Sequence, residues 1–234
     1  MTMIASRLST VRDRLSAACK AAGRDPASVR LLAVSKTFGD DAVAQAIAAG
    51  QLAFGENYIA EGVQKIIALR HYPRLEWHCI GPVQSNKTRL VAEHFDWVQS
   101  VDRLKIAQRL SEQRPAHLAP LQICLQVNVD GGLNKSGVAP DALMALAEAV
   151  IELPHLRLRG LMTIPEPAID FEAACAVHSR ARALFDGLNQ SNIRHNPRFS
   201  PLDTLSIGMS ADIEAAIAAG STLVRVGTAI FGQR

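Results

Sequence analysis

The sequence predicts a single (β/α)8 barrel of the TIM type, preceded by an N-terminal helix and spanning residues 1–234 as one domain. Three observations carry this. Short β-like runs alternate with Ala/Leu-rich helical stretches from end to end, and about eight such units are what the closed barrel needs. The runs are largely apolar on both sides, as strands of a parallel sheet covered by helices are. Polar residues recur after nearly every run, while no GxGxxG turn marks the competing doubly wound sheet. A length of 234 residues lies near the low end for the barrel.

The first helix is announced by Ile4, Leu8, Val11, Leu15, Ala18 and Cys19, which recur at helical spacing until Gly23 stops the pattern. This Arg/Ser/Ala-rich segment has the composition of a transit peptide. It nevertheless runs directly into Pro26 and the first strand with no cleavage-like junction, so it reads as structure and the compartment as cytoplasm. Strands are expected at 29–35, 52–55, 75–80, 97–100, 121–129, 157–162, 204–207 and 223–226. Helices are expected between them at 40–49, 56–69, 88–94, 103–114, 140–153, 171–188 and 211–219. Gly50, Gly220 and the Leu153-Pro154 step are ordinary helix stops.

Composition excludes several function classes. The chain is 48% hydrophobic and 20% charged with a net charge of +3, too mild to suggest a nucleic-acid partner. Its nearest basic cluster, Arg194-His195-Asn196-Pro197-Arg198, reads as a solvated proline-containing loop without interleaved aromatics. Cys19, Cys79, Cys124 and Cys175 are widely spaced among apolar neighbours, which predicts buried, reduced thiols and no metal site. No apolar run reaches the length of a membrane span.

The polar residues after the strands become one ring if the barrel closes, because all strand ends then open on the face where such folds build their sites. The ring holds Lys36, Glu56-Asn57-Tyr58, His78 with Gly81 and Gln84-Ser85-Asn86-Lys87, Ser100, Asn128, Met162-Thr163, Ser206 to Ser210, and Arg225 with Gly227-Thr228. Lys36 ends the run LLAVSK, where a turn residue would be usual. A lysine partly desolvated at the mouth of a site is a nucleophile toward carbonyl carbon. Ser206, Gly208, Met209 and Ser210 place hydroxyls and amides between a strand and a helix, a setting that suits a phosphate. Arg225, Gly227 and Thr228 add a second small-residue loop beside it, at the position where barrels of this type commonly hold phosphate. Asp212 and Glu214 would repel that anion if they faced it, so both are expected to point outward. A phosphate-bearing aldehyde held there could condense with Lys36; pyridoxal 5′-phosphate and a phosphorylated sugar both meet that description.

The stretches LLAVSKT, FGENYIAEGVQKI, EWHCIGPVQSNKTRLVAEHFDWVQSVDR, NKSG, RGLMTIP and LSIGMSADIEAAIAAGSTLVRVGTAIFG occur here in order. Together they resemble, along essentially the whole chain, the YggS/PROSC group of pyridoxal-phosphate-binding proteins, which is similar in fold to the barrel domain of alanine racemase. The resemblance implies that Lys36 carries the cofactor as an internal aldimine. It also implies that Ser206, Gly208, Arg225, Gly227 and Thr228 lie on its phosphate and ring sides, with Asn57 near the ring. His78, Met162, Met209 and Ser210 complete the expected cofactor-binding set, and no residue is assigned a catalytic role. One departure concerns the Lys-Thr-Lys-Pro sequence of many relatives, which here reads Lys36-Thr37-Phe38-Gly39. Lys135 in Asn134-Lys135-Ser136-Gly137 matches another family lysine and is a candidate for relaying the cofactor.

The implied function is holding and delivering pyridoxal phosphate in vitamin B6 homeostasis without robust catalysis. The implied partners are the cofactor and cofactor-dependent apoenzymes, and the chain is expected as a monomer or weak homodimer. The alternatives are a small amino-acid racemase or lyase and a Schiff-base aldolase. Racemisation needs a base on each face of the substrate carbon, and only Tyr58 or His78 could join Lys36 in that role.

Overall fold

The computed structural model describes residues 2–132 and 136–233. Eight parallel strands close into a barrel in sequence order: β1 (Arg30–Val34), β2 (Ala53–Glu56), β3 (Glu76–Cys79), β4 (Trp97–Val101), β5 (Leu121–Gln126), β6 (Leu156–Met162), β7 (Thr204–Ser206) and β8 (Leu223–Val226). The seam joins β8 to β1, with Leu32 opposite Arg225 and Ala33 opposite Val226.

Around the sheet run α1 (Met3–Ala21), α2 (Asp40–Ala48), α3 (Ile59–Ala68), α4 (Thr88–His94), α5 (Leu104–Gln113), α6 (Leu143–Ile151), α7 (Phe171–Gln190), α8 (Ile213–Ala218) and α9 (Thr228–Phe231). All eight strands and the seven helices expected between them are present. Their ends differ where local geometry overrides hydrophobicity. Helix α3 starts at Ile59 because Glu56 still belongs to β2 and Tyr58 is extended. Strand β5 stops at Gln126, after which Val127 bridges to Val138. The short helix α9 was not expected, and the basic 194–198 segment is partly ordered as a 3-10 turn, Asn192–His195.

Helix α1 packs across α2, α8 and α9, covering the β8–β1 seam from outside. Its buried face is Ile4, Leu8, Val11, Leu15, Ala18 and Cys19, the set that the spacing predicts. The main core lies between sheet and helices. The barrel interior is different. It holds two small apolar clusters, Leu32/Val34/Ala53/Ile80/Leu223 and Trp97/Cys124/Met162. Among its other buried side chains are the polar His78, Gln99, Ser206 and Arg225. Three thiols are buried, and burial pushes those of Cys79 and Cys124 up to about 12, which leaves them protonated and unreactive. Cys175 is only half-buried, where α7 meets α8 and its thiol faces the Ala215 carbonyl at 3.7 Å. No helix among the described residues is long and apolar enough to cross a membrane.

Candidate active site at the barrel mouth

A cavity of about 440 Å³ opens at the C-terminal ends of the strands, within the range of sites for small cofactors. Lys36, Asn57 and Arg225 reach it from β1, β2 and β8. Met209-Ser210 and Gly227-Thr228 supply its small-residue loops, and Phe38, Ile80 and Ile164 give it apolar wall. Closure of the seam is what brings Lys36 and Arg225 together, since 189 positions of chain separate them. The Asn57 Oδ1 is buried with no hydrogen-bond partner, an acceptor available to a ligand's donor.

Arg225 is 4% exposed and, among the described residues, bonds to no carboxylate. Its guanidinium donates to the Ser206 carbonyl (2.6 Å), the Ser206 Oγ (2.8 Å) and the Thr163 carbonyl (2.8 Å). Burial lowers its pKa to about 10, and the more distant Asp212 charge opposes that fall. A cation held dry by neutral acceptors is costly unless an anion or a polar ring faces it. The fixed position comes from a chain of hydrogen bonds through the barrel. Ser206 donates to Gln99 Oε1 (2.6 Å), the Gln99 amide donates to His78 Nδ1 (2.9 Å), and His78 Nε2 faces Glu76 (3.3 Å). Burial pulls the His78 pKa down, against the pull of Glu76, so the ring is neutral with its proton on Nε2.

The loop between β7 and α8 is braced from three sides. The Met209 amide donates to Asp212 Oδ1 (2.6 Å), and the buried His178 pairs with Asp212 Oδ2 (2.8 Å). Burial raises the Asp212 carboxyl, but these hydrogen bonds and Arg225 outweigh it and hold the group below its usual value. Arg14 of α1 donates to the Ser210 carbonyl (2.7 Å) and grips Glu214 with two bonds of 2.6 Å each. Gly208 turns the chain at φ +92°, and a Cβ there would lie 2.4 Å from Ala216 Cβ. The Gly208 carbonyl accepts from the Arg225 amide (3.1 Å). The expectation that Asp212 points outward is therefore corrected: it folds back to hold Met209, because a buried histidine waits for it. Glu214 does lie toward the outer helix, on Arg14.

Of the expected cofactor-binding residues, Lys36, Asn57, Met209, Ser210, Arg225, Gly227 and Thr228 share the cavity. His78, Met162, Ser206 and Gly208 do not line it. His78 sits level with Gly55 and Trp97 and stacks on the Trp97 ring at 5.0 Å, one layer deeper. Met162 packs on Trp97 and Cys124, and Ser206 and Gly208 act on Arg225 from behind. Lys135 lies outside the described residues. Phe38, standing where relatives carry a second lysine, stacks on Phe231 at 5.2 Å and ties the Lys36 turn to α9. Gln99, Arg14 and His178 were missed by the sequence reading, whereas Thr163 was placed in the ring of strand ends without a role. A glutamine inside the apolar run WVQSV was the one visible signal. Arg14 had none, being 200 residues from Glu214.

The model of the family described as "Alanine racemase, N-terminal domain" matches residues 7–234. The chain belongs to this family. The chain is 58% identical over 234 residues to a Pseudomonas aeruginosa protein named Pyridoxal phosphate homeostasis protein, covering 100% of this chain and 97% of that one. It is also similar to the solved structure of PipY from Synechococcus elongatus with pyridoxal phosphate bound, at 37% identity and a TM-score of 0.83, covering 98% of this chain and 100% of that one. The resemblance drawn from the ordered motifs is thus borne out. An alanine racemase from Clostridium difficile shares the fold at 14% identity and a TM-score of 0.71, matched over 95% of this chain but 56% of its own.

Proposed function

We propose that the chain binds pyridoxal 5′-phosphate in the mouth cavity and serves its homeostasis, holding and delivering the cofactor without robust catalysis. The observation that carries this is the pairing, in one cavity, of the Lys36 amine with a buried Arg225 that, among the described residues, bonds only to neutral oxygens. The name of the Pseudomonas aeruginosa relative and the cofactor bound in PipY support it. Lys36 is the residue that would hold the cofactor covalently, its amine condensing with the aldehyde carbon and water leaving. Arg225 would meet the ring or the phosphate, the Asn57 Oδ1 would accept from the ring side, and Ser210, Gly227 and Thr228 would hold the phosphate. Bound pyridoxal phosphate supplies an electron sink, and a guanidinium near the ring nitrogen disfavours ring protonation and so weakens that sink.

A second base, which racemisation requires, has no counterpart at the two positions that could supply one. Tyr58 is 57% exposed at the start of α3, and His78 is buried below the cavity; neither lines it. The proposed setting is the cytoplasm, with cofactor-dependent apoenzymes as recipients and the chain as a monomer or weak homodimer.

The test is spectroscopic. The purified protein with pyridoxal phosphate is expected to absorb near ~420 nm, and Lys36→Ala to lose that band, as befits a lysine imine. A colourless protein at full occupancy would overturn the imine. Turnover of common amino acids at ~1 s⁻¹ or more would overturn the carrier reading, because that is an ordinary enzyme rate.

A further inference from the structure

Behind Lys36, on the side away from the cavity, sits a second lysine that the proposed function leaves unused. Lys65 projects from α3 and is only 5% exposed. Its amine donates to the Ser35 carbonyl (2.7 Å), Glu56 Oε1 (2.8 Å) and Glu61 Oε1 (2.6 Å), so all three of its donors are used. The two carboxylates reach the same segment of chain. Glu56 Oε1 accepts from the Ser35 hydroxyl (2.6 Å), and Glu61 Oε1 accepts from the Thr37 amide (2.6 Å). The backbone is therefore gripped on both sides of Lys36 by charged groups, and charge-assisted hydrogen bonds are the strong ones.

That grip matters because the turn is not one the chain prefers. Thr37 has φ +68°, a left-handed conformation rare for a β-branched residue. Such a conformation persists where the surroundings over-determine it. Thr37 and Phe38 also line an outer cavity of about 470 Å³, together with Glu61 and Lys65. Phe38 lines the mouth cavity as well, so this short turn is a wall between the two.

We propose that Lys65, Glu61 and Glu56 form a positioning clamp that holds the Ser35–Thr37 turn in the one shape that aims the Lys36 amine into the mouth cavity. The clamp touches neither cofactor nor reacting atoms and acts through the backbone. The consequence for the cofactor rests on the pyridoxal phosphate reading above; the consequence for the turn does not.

Glu61→Ala tests it best, since Glu61 is the half-exposed member and its loss leaves Lys65 still paired with Glu56. In the protein without cofactor, hydrogen exchange at the Thr37 amide is expected to rise at least ~10-fold, as expected for a local opening once the bond is gone. On mixing with pyridoxal phosphate, the band near ~420 nm is expected to form about 10-fold more slowly, as a displaced nucleophile would react. Glu61→Gln keeps an oxygen for both donors and should restore both readouts to within about threefold of the parent protein. A purely structural loss would instead lower the melting temperature, slow both variants alike and leave no rescue by glutamine, overturning the proposal. Exchange or band formation unchanged within about twofold in Glu61→Ala would overturn it too. If the parent protein forms no band at all, the cofactor reading fails, and the Thr37 exchange alone decides whether the clamp exists.

Discussion

The two ends of the barrel treat charge in opposite ways. At the base, a cavity of about 590 Å³ is lined by Arg30, Arg74, Arg114, Arg157 and Arg159, but most of these are neutralised or saturated where they stand. Arg30 pairs with Glu76, Arg159 is held by Asp203 through bonds of 3.0 and 2.6 Å, and Arg114 donates to three carbonyls. Arg159 also lies over the Trp97 ring at 4.7 Å. At the mouth, the smaller cavity holds Arg225, buried and, among the described residues, bonded only to neutral oxygens. The lesson is that the number of arginines does not mark the site. A buried cation that shares its cavity with a lysine amine and an unpartnered acceptor, as Arg225 does with Lys36 and the Asn57 Oδ1, does.

The sharpest way to break this contrast is to remove one arginine from each end. Arg225→Met is expected to weaken pyridoxal phosphate binding about 100-fold, or ~3 kcal/mol, the scale of lost charged hydrogen bonds. Arg159→Met should change it less than about twofold. Fluorescence titration of both variants decides. Equal losses would mean that the base cavity contributes to binding and that the contrast is false.

A backbone substitution probes the mouth without touching charge. A Cβ on Gly81 would meet the Asn57 carbonyl oxygen at 2.1 Å and its carbon at 2.8 Å, and neither is a flexible side-chain end. Gly81→Ala should cost about 2–3 kcal/mol of stability as overpacking against main chain does, read from the urea midpoint at unchanged slope. It should also displace Asn57 and weaken cofactor binding.

Acid separates the ends next. Burial lowers the His78 pKa from 6.5, so the unfolded chain accepts a proton that the folded chain refuses. Glu76, although burial raises it, is carried from 4.5 down to about 2 by His78 and Arg30. Both contributions run the same way. Stability is fully present above the unfolded values and falls as pH drops, first below 6.5 and then from 4.5 toward 2. Urea unfolding measured from neutral to acid pH should show that decline, and Glu76→Gln should flatten its lower part. A variant as acid-sensitive as the parent would show that the pair at the base contributes nothing.

The smallest effect is expected from outside the barrel. Arg14 and Glu214 form a half-exposed pair, so Arg14→Ala should cost no more than ~1 kcal/mol of stability. Because Arg14 also holds the Ser210 carbonyl, cofactor affinity should still fall a few-fold, consistent with a loosened loop. An unchanged affinity would separate α1 from the site.

Much of this was legible in the sequence for identifiable reasons. Strand–helix alternation and the helical spacing from Ile4 to Cys19 are local patterns, and the structure places both where they were read. Lys36, Arg225 and the two glycine loops were readable as a set because a parallel barrel sends every strand's C-terminal end to one face. Depth was not readable. His78, Met162 and Ser206 follow the same pattern as the lining residues, yet they point into interior layers below the cavity. Element ends were also misjudged where one side chain belongs to a strand that hydrophobicity assigns to a helix, as at Glu56.

By itself, then, the sequence determined the closed barrel, the first helix, the lysine at the end of β1 and the family. Only the tertiary structure decided which polar residues meet. Arg14 finds Glu214, Asp212 finds His178, and Gln99 joins His78 to Ser206 across distant strands. It also revealed Lys65 and its two glutamates behind the Lys36 turn. The physical reason is range. Hydrophobic periodicity is written along a few consecutive residues, whereas a hydrogen bond between groups far apart in the chain exists only once the barrel has closed around it.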